Sequence, residues 1–136
     1  MLLLDANTIS YYFRGDPQVV PRLQALSPDD VGVPAVVAYE LRYGLARLGP
    51  GQAGRRLQAL ETLLLPMWTA PFDGECARLA ASLRAELESR GEVIGPHDIL
   101  IAATALRHQA ALVTRNVREF SRVAGLQVIN WHTPDA

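Results

Sequence analysis

Short apolar runs alternate with amphipathic stretches along this chain. Leu2-Leu3-Leu4 is a continuous apolar run closed by Asp5, and Val31-Gly32-Val33 is a second. Runs of this kind, bounded by polar or turn-forming residues, read as short buried strands. Pro66 to Phe72, Ala110 to Thr114 and Gln127 to Trp131 read the same way, the first near a sheet edge because of its prolines. Helical spacing fills the intervals. A helix capped by Asn7 or Thr8 carries Tyr11, Tyr12 and Phe13 and breaks at Gly15-Asp16-Pro17. Others run from Gln18 to Leu26, from Pro34 to about Leu48 with Gly49-Pro50-Gly51 as the stop, and from Gln52 to Leu65. Asp73 caps a helix to Arg90 whose apolar positions Cys76, Leu79, Ala80, Leu83 and Leu87 keep three-and-four spacing. Gly95-Pro96 opens a helix to about Gln109, and a short helix spans Val117 to Arg122.

Alternating strands and helices predict an α/β fold, with a mostly parallel central sheet of about five strands and helices on both faces. The 136 residues fit a single domain, residues 1–136, with a tail from His132 to Ala136 expected to fray. No apolar stretch approaches the ~20 residues of a membrane helix, and no leader pattern opens the chain, so the expected compartment is cytoplasmic. The single cysteine, Cys76, excludes an internal disulfide framework and a Cys-rich zinc site, and reads as a small buried hydrophobe. All 13 basic residues are arginine. Without lysine there is no P-loop lysine, no Schiff base and no lysine-assisted phosphoaspartate site. A net charge of −1 argues against a general polyanion binder.

The remaining chemistry lies in four scattered acids. Asp5 ends the first strand, Glu40 lies on the helix after the second, Asp98 sits in the first turn of its helix, and Glu119 follows the strand that ends at Thr114. Functional groups of open α/β sheets gather outside the carboxyl ends of the strands. A helix N-terminus favours negative charge, so Asp98 is expected to stay ionised. Small residues near the two helical acids, Ala102 and Ala105 beside Asp98 and Gly44 beside Glu40, predict close packing there. Converging carboxylates repel one another unless a cation holds them, which suggests a hard divalent metal and phosphate chemistry.

These segments, in this order, resemble the PIN-domain ribonucleases, specifically the VapC-type toxins of type II toxin–antitoxin pairs. The resemblance rests on Leu3-Leu4-Asp5-Ala6-Asn7-Thr8-Ile9, Tyr39-Glu40-Leu41-Arg42-Tyr43-Gly44, Gly95 to Ala103 and Leu112 to Phe120, and extends to Val123 to Trp131. Ala6 stands where the first motif usually has threonine. Asn116 stands where many PIN domains have aspartate, with Glu119 three residues on, so either could fill the fourth position of the site.

The resemblance implies a PIN-like three-layer fold and a Mg²⁺-dependent endoribonuclease, with Mn²⁺ able to substitute. Asp5, Glu40, Asp98 and Glu119 would be the catalytic acids, and Asp5, Asp98 and Glu40 the metal ligands. Water activated by the metal would attack the phosphodiester, leaving a 5′-phosphate and a 3′-hydroxyl. Asn7, Thr8 and Thr114, with Asn116 and Glu119, are candidates to hold the carboxylates in position. Arg42, Arg47, Arg115 and Arg118 are candidates to grip RNA phosphates. The implied substrate is structured RNA, a tRNA or an rRNA loop. The implied partners are a small VapB-like antitoxin, a second copy in a homodimer, and operator DNA through the antitoxin. A non-toxin PIN nuclease acting in RNA processing or on DNA, and an inactive binding module, are the alternatives. Tyr11, Tyr12 and Phe13 read as core or partner contacts rather than base-stacking groups. His97 reads as a loop residue at the mouth of the site, and His108 as an exposed helix residue.

Overall fold

Among the described residues, five short strands form one sheet: β1 (Leu2–Leu4), β2 (Val31–Pro34), β3 (Trp68–Ala70), β4 (Ala111–Val113) and β5 (Val128–Ile129). Their order is β3-β2-β1-β4-β5 and every neighbouring pair is parallel. The structure, a computed structural model, describes residues 1–132; apart from His132, the tail expected to fray lies outside the described residues. Parallel neighbours need crossover connections. These are supplied by α1 (Ala6–Phe13), α2 (Val19–Gln24), α3 (Ala35–Ala46), α4 (Pro50–Leu64), α5 (Gly74–Ser89), α6 (Pro96–Arg107) and α7 (Val117–Phe120). With helices on both faces, the central strands have no solvent side, and Leu3, Leu4, Val33, Leu112 and Val113 are fully buried. That is why these strands are continuous apolar runs rather than alternating ones.

Chain order reverses beside β1. The chain steps from β1 to β2 and β3 on one side, then crosses back to β4 and β5 on the other. The connections after β1 and β4 therefore diverge and leave a crevice at the carboxyl ends of these two strands. α3 and α6 also pack against each other, which brings the helix after β2 to the helix before β4.

Several sequence expectations are corrected. Asp5 itself caps α1, its Oδ1 accepting from the Ala6 N–H at 2.8 Å, so the helix begins ahead of the expected caps Asn7 and Thr8. Gly49-Pro50-Gly51 does not lie wholly between helices: Gly49, at φ 91°, makes the break, and Pro50 starts α4 with the ring geometry suited to a first helical turn. Leu79 lies outside the buried stripe of α5 and is 37% exposed, whereas Cys76, Ala80, Leu83 and Leu87 are buried as expected. Gly44 mediates no close approach, since a Cβ there would meet nothing within 4 Å. The close backbone approach occurs at Gly32 instead, where a Cβ would collide with the Trp68 carbonyl of the adjacent edge strand. Among the described residues, no helix is long and apolar enough to cross a membrane.

Candidate active site

Register places the first pair of site residues. Leu4 lies opposite Val113, so the next residues, Asp5 and Thr114, leave β1 and β4 side by side. The Asp5 N–H continues the ladder to the Val113 carbonyl at 2.9 Å. Thr114 Oγ1 donates to Asp5 Oδ2 at 2.7 Å, and Asn7 Nδ2 lies 3.4 Å from the same oxygen. Asp5 is only 5% exposed. Burial pushes its pKa up, and the bonds from Thr114 and Ala6 offset this only in part.

The supporting threonines and asparagines form one network. Thr114 Oγ1 also accepts from Asn7 Nδ2 at 3.3 Å and from the Asn116 N–H at 3.0 Å. Thr8 Oγ1 lies 3.1 Å from the Val113 carbonyl and 3.3 Å from Asn7 Oδ1, one proton serving both. Asn7 Oδ1 accepts in addition from the Arg115 N–H at 3.1 Å. Asn116 Nδ2 donates to Glu119 Oε2 at 3.0 Å. This bond bears on the choice between Asn116 and Glu119: the amide steadies the carboxylate, and it is the carboxylate that acts on Asp98.

Asp98, the third residue of α6, is where the acids meet. Its pKa is pushed up to about 6, first by burial, then by the charges of Asp5, Glu119 and Glu40, and by a hydrogen bond with Glu119. The helix N-terminus thus does not keep Asp98 in the ordinary carboxylate range, although a pKa of about 6 still leaves it mostly ionised at neutral pH, as expected from its place in the helix. A helix end contributes about 0.3–1 kcal/mol to a nearby charge, less than three carboxylates and partial burial together impose. Its side chain folds back on Gly95, which has no Cβ to intervene.

Glu40, on α3, reaches the same centre. Its Oε2 lies 3.3 Å from His97 Nδ1 on α6, while its Oε1 is buried with no hydrogen-bond partner among the described residues. A buried, unpartnered carboxylate oxygen costs about 1–3 kcal/mol and calls for an explanation. His97 thus lies at the site as expected, but in the first turn of α6 rather than in a loop. Its ring also meets Tyr39 edge-on at 6.0 Å.

The candidate arginines differ in their engagement. Arg42 is held by Glu61 of α4 through two bonds of 2.7 and 3.0 Å. Arg47 follows α3, and Arg118 lies exposed on α7. Arg115 projects beside Tyr11, at the rim of the crevice.

The donor set suits a hard cation: carboxylates from four elements, one oxygen without a partner, and a carboxyl whose proton affinity is raised by its acidic neighbours. Among the described residues, no three acidic, histidine or cysteine side chains are already arranged to hold an ion. Asp5, Glu40 and Asp98, with Glu119 beside them, are nonetheless the residues that fit one.

Comparison with known proteins places this geometry in a family. A family model described as "PIN domain" matches residues 2–126. Toxin FitB of Neisseria gonorrhoeae is 37% identical over 139 residues, spanning 97% of this chain and 99% of that one. The tRNA(fMet)-specific endonuclease VapC of Salmonella typhimurium is 28% identical over 130 residues, spanning 95% and 96%. A chain in the crystal structure of VapBC2 from Rickettsia felis bound to a DNA fragment from their promoter superposes with a TM-score of 0.86 at 29% identity, covering 96% of this chain and 98% of that one. The chain belongs to the PIN-domain family, among its VapC-type ribonuclease toxins.

Proposed function

We propose that this protein is a Mg²⁺-dependent endoribonuclease that cuts structured RNA, a tRNA or an rRNA loop, as the toxin of a toxin–antitoxin pair. The observation that carries this reading is the convergence of Asp5, Glu40 and Glu119 on Asp98, whose charges add to burial in raising its pKa to about 6. A soluble fold gains no stability from such crowding, so the cluster points to a cation and a phosphate substrate. The unpartnered Oε1 of Glu40 supports the same conclusion.

Asp5, Asp98 and Glu40 would hold the ion, with Glu119 completing the acidic wall. When bound, Mg²⁺ or Mn²⁺ offsets phosphate charge and lowers the pKa of water for in-line attack. The chain's own residues do the positioning. Thr114 and the Ala6 N–H clamp Asp5, Asn116 steadies Glu119, and His97 holds one oxygen of Glu40.

A VapB-like antitoxin is the expected partner, since several solved relatives are toxin–antitoxin complexes and some are bound to DNA. Operator DNA would be contacted through that antitoxin, and the toxin would pair with a second copy of itself. The kinship with a tRNA(fMet)-specific endonuclease favours tRNA as the first substrate to test.

The test is direct. Asp5→Asn and Asp98→Asn should each abolish RNA cleavage and growth arrest while the protein stays folded. Near-full activity in either variant would overturn the assignment. Mapping RNA 5′ ends after brief induction identifies the substrate.

A further inference from the structure

Next to the acidic centre lies an open cavity of about 370 Å³ lined by Asn7, Tyr11, Arg115 and Asn116. Its character is opposite to that of the carboxylate cluster. The guanidinium of Arg115 hydrogen-bonds the Tyr11 hydroxyl and sits 5.6 Å from the centre of the ring. The guanidinium of Arg14 lies 5.7 Å from the same ring. Among the described residues neither arginine is ion-paired with a carboxylate, whereas Arg42, Arg78, Arg84, Arg90 and Arg107 all are.

Tyr11 is also braced. The ring of His132 stacks on it at 4.1 Å and 16°, and His132 Nδ1 is 2.9 Å from Asp16. With His132 stacked on it and guanidiniums within cation–π distance, Tyr11 serves as a mount for cations rather than as an open base-stacking platform. An exposed arginine ordinarily loses side-chain entropy when it grips a ligand. One already packed on a ring and tied to a hydroxyl loses less.

The cavity is wired to the carboxylates by two of its lining side chains, Asn116 through its bond to Glu119 Oε2, and Asn7. Asn7 Oδ1 accepts from the Arg115 N–H, and Asn7 Nδ2 reaches Thr114 and Asp5. We infer that this cavity is a phosphate subsite in which Arg115, assisted by Arg14, holds a phosphodiester of the substrate strand next to the one being cut. The inference rests on the ribonuclease reading above and adds to it the strand's second point of attachment. Two regions of opposite charge, joined through Asn7, suit a chain of regularly spaced phosphates: the acids need a cation to accept one, and the arginines accept the next directly.

The experiment is equilibrium binding of a fluorescein-labelled single-stranded RNA to the full chain, with EDTA present to prevent cleavage, across a salt series. Each phosphate contact to a single strand contributes about 0.7 to the slope of log affinity against log salt. Arg115→Gln should therefore make the slope shallower by about 0.7, and Arg14→Gln with Arg115→Gln by up to about 1.4. Arg115→Lys should restore most of the slope because it keeps the charge, and Arg55→Gln on α4 should leave it at the wild-type value. Thermal midpoints confirm that each variant is folded. A wild-type slope in Arg115→Gln, even with affinity lowered equally at every salt concentration, would overturn the subsite, and if the wild type still cleaves RNA with Mg²⁺ the ribonuclease reading survives. Absence of any RNA binding and cleavage by the wild type would overturn both.

Discussion

Thr114 donates its hydroxyl proton to Asp5 Oδ2 at 2.7 Å, although the two residues are 109 positions apart. The parallel pairing of β1 and β4 makes them neighbours. Thr114→Val keeps the shape of the side chain but leaves a buried carboxylate short of its strongest donor. Losing a partner that orients a ligand typically costs about 10–100-fold in metal affinity or activity, and stability should fall by about 1–3 kcal/mol. Cleavage rates over a Mg²⁺ titration and urea unfolding measure the two effects. Thr114→Ser should recover most of both, and a valine variant of wild-type activity would contradict the role.

Asp98 makes stability depend on pH. Its folded-state pKa, about 6, is above the ordinary value of 3.8, so between these values the folded state binds more protons than the unfolded state. Stability in EDTA should be highest below this window and decline as pH rises through it. The loss is on the order of 1–2 kcal/mol, after discounting for solvent around a partly exposed carboxylate. Asp98→Asn should remove that part of the decline and make the protein more stable than wild type at neutral pH. Asp5 is shifted in the same direction and leaves a residual slope. Urea midpoints of both proteins across the window give the answer, and an unchanged difference between them from acid to neutral pH would rule the coupling out.

Asn116 and Glu119 can be separated by a double-mutant cycle. Since Asn116 Nδ2 holds Glu119 Oε2, Asn116→Ala should reduce cleavage through Glu119, and the double variant with Glu119→Gln should be no worse than Glu119→Gln alone. Additive losses would instead give Asn116 a role of its own. The same cycle should lower the pKa of Asp98 in every variant lacking the Glu119 charge, which carboxyl NMR titration detects.

Two glycines should respond oppositely to alanine. At Gly32 a methyl would strike the Trp68 carbonyl and push β2 from β3, so Gly32→Ala should destabilise by about 1–3 kcal/mol, the usual cost of overpacking. Gly44 lies within α3 with open space around it, and Gly44→Ala should stabilise by roughly 0.5–1 kcal/mol through helix propensity. Chemical denaturation of the two variants distinguishes the sites.

The architecture was legible from the chain because its signals are local. Apolar runs such as Leu2-Leu3-Leu4 can be satisfied only by burial on both sides, and helical spacing with Gly and Pro punctuation marks the elements between them. Motif order was enough to indicate the family. Boundaries set by competition between neighbours were not legible. Asp5 takes the α1 cap from Asn7 because the turn out of β1 aims its carboxylate at the Ala6 N–H, and Asn7 is drawn instead to Thr114. Only the tertiary structure decided that the pKa of Asp98 lies well above that of a plain helix-end charge, because it is set by burial and by Asp5, Glu119 and Glu40 arriving from other elements. It likewise paired Glu40 with His97, gave Arg42 to Glu61, and set Arg115 on Tyr11. Electrostatic and hydrogen-bond energies depend on distance in space, and strand order and helix packing determine that distance for residues far apart in sequence.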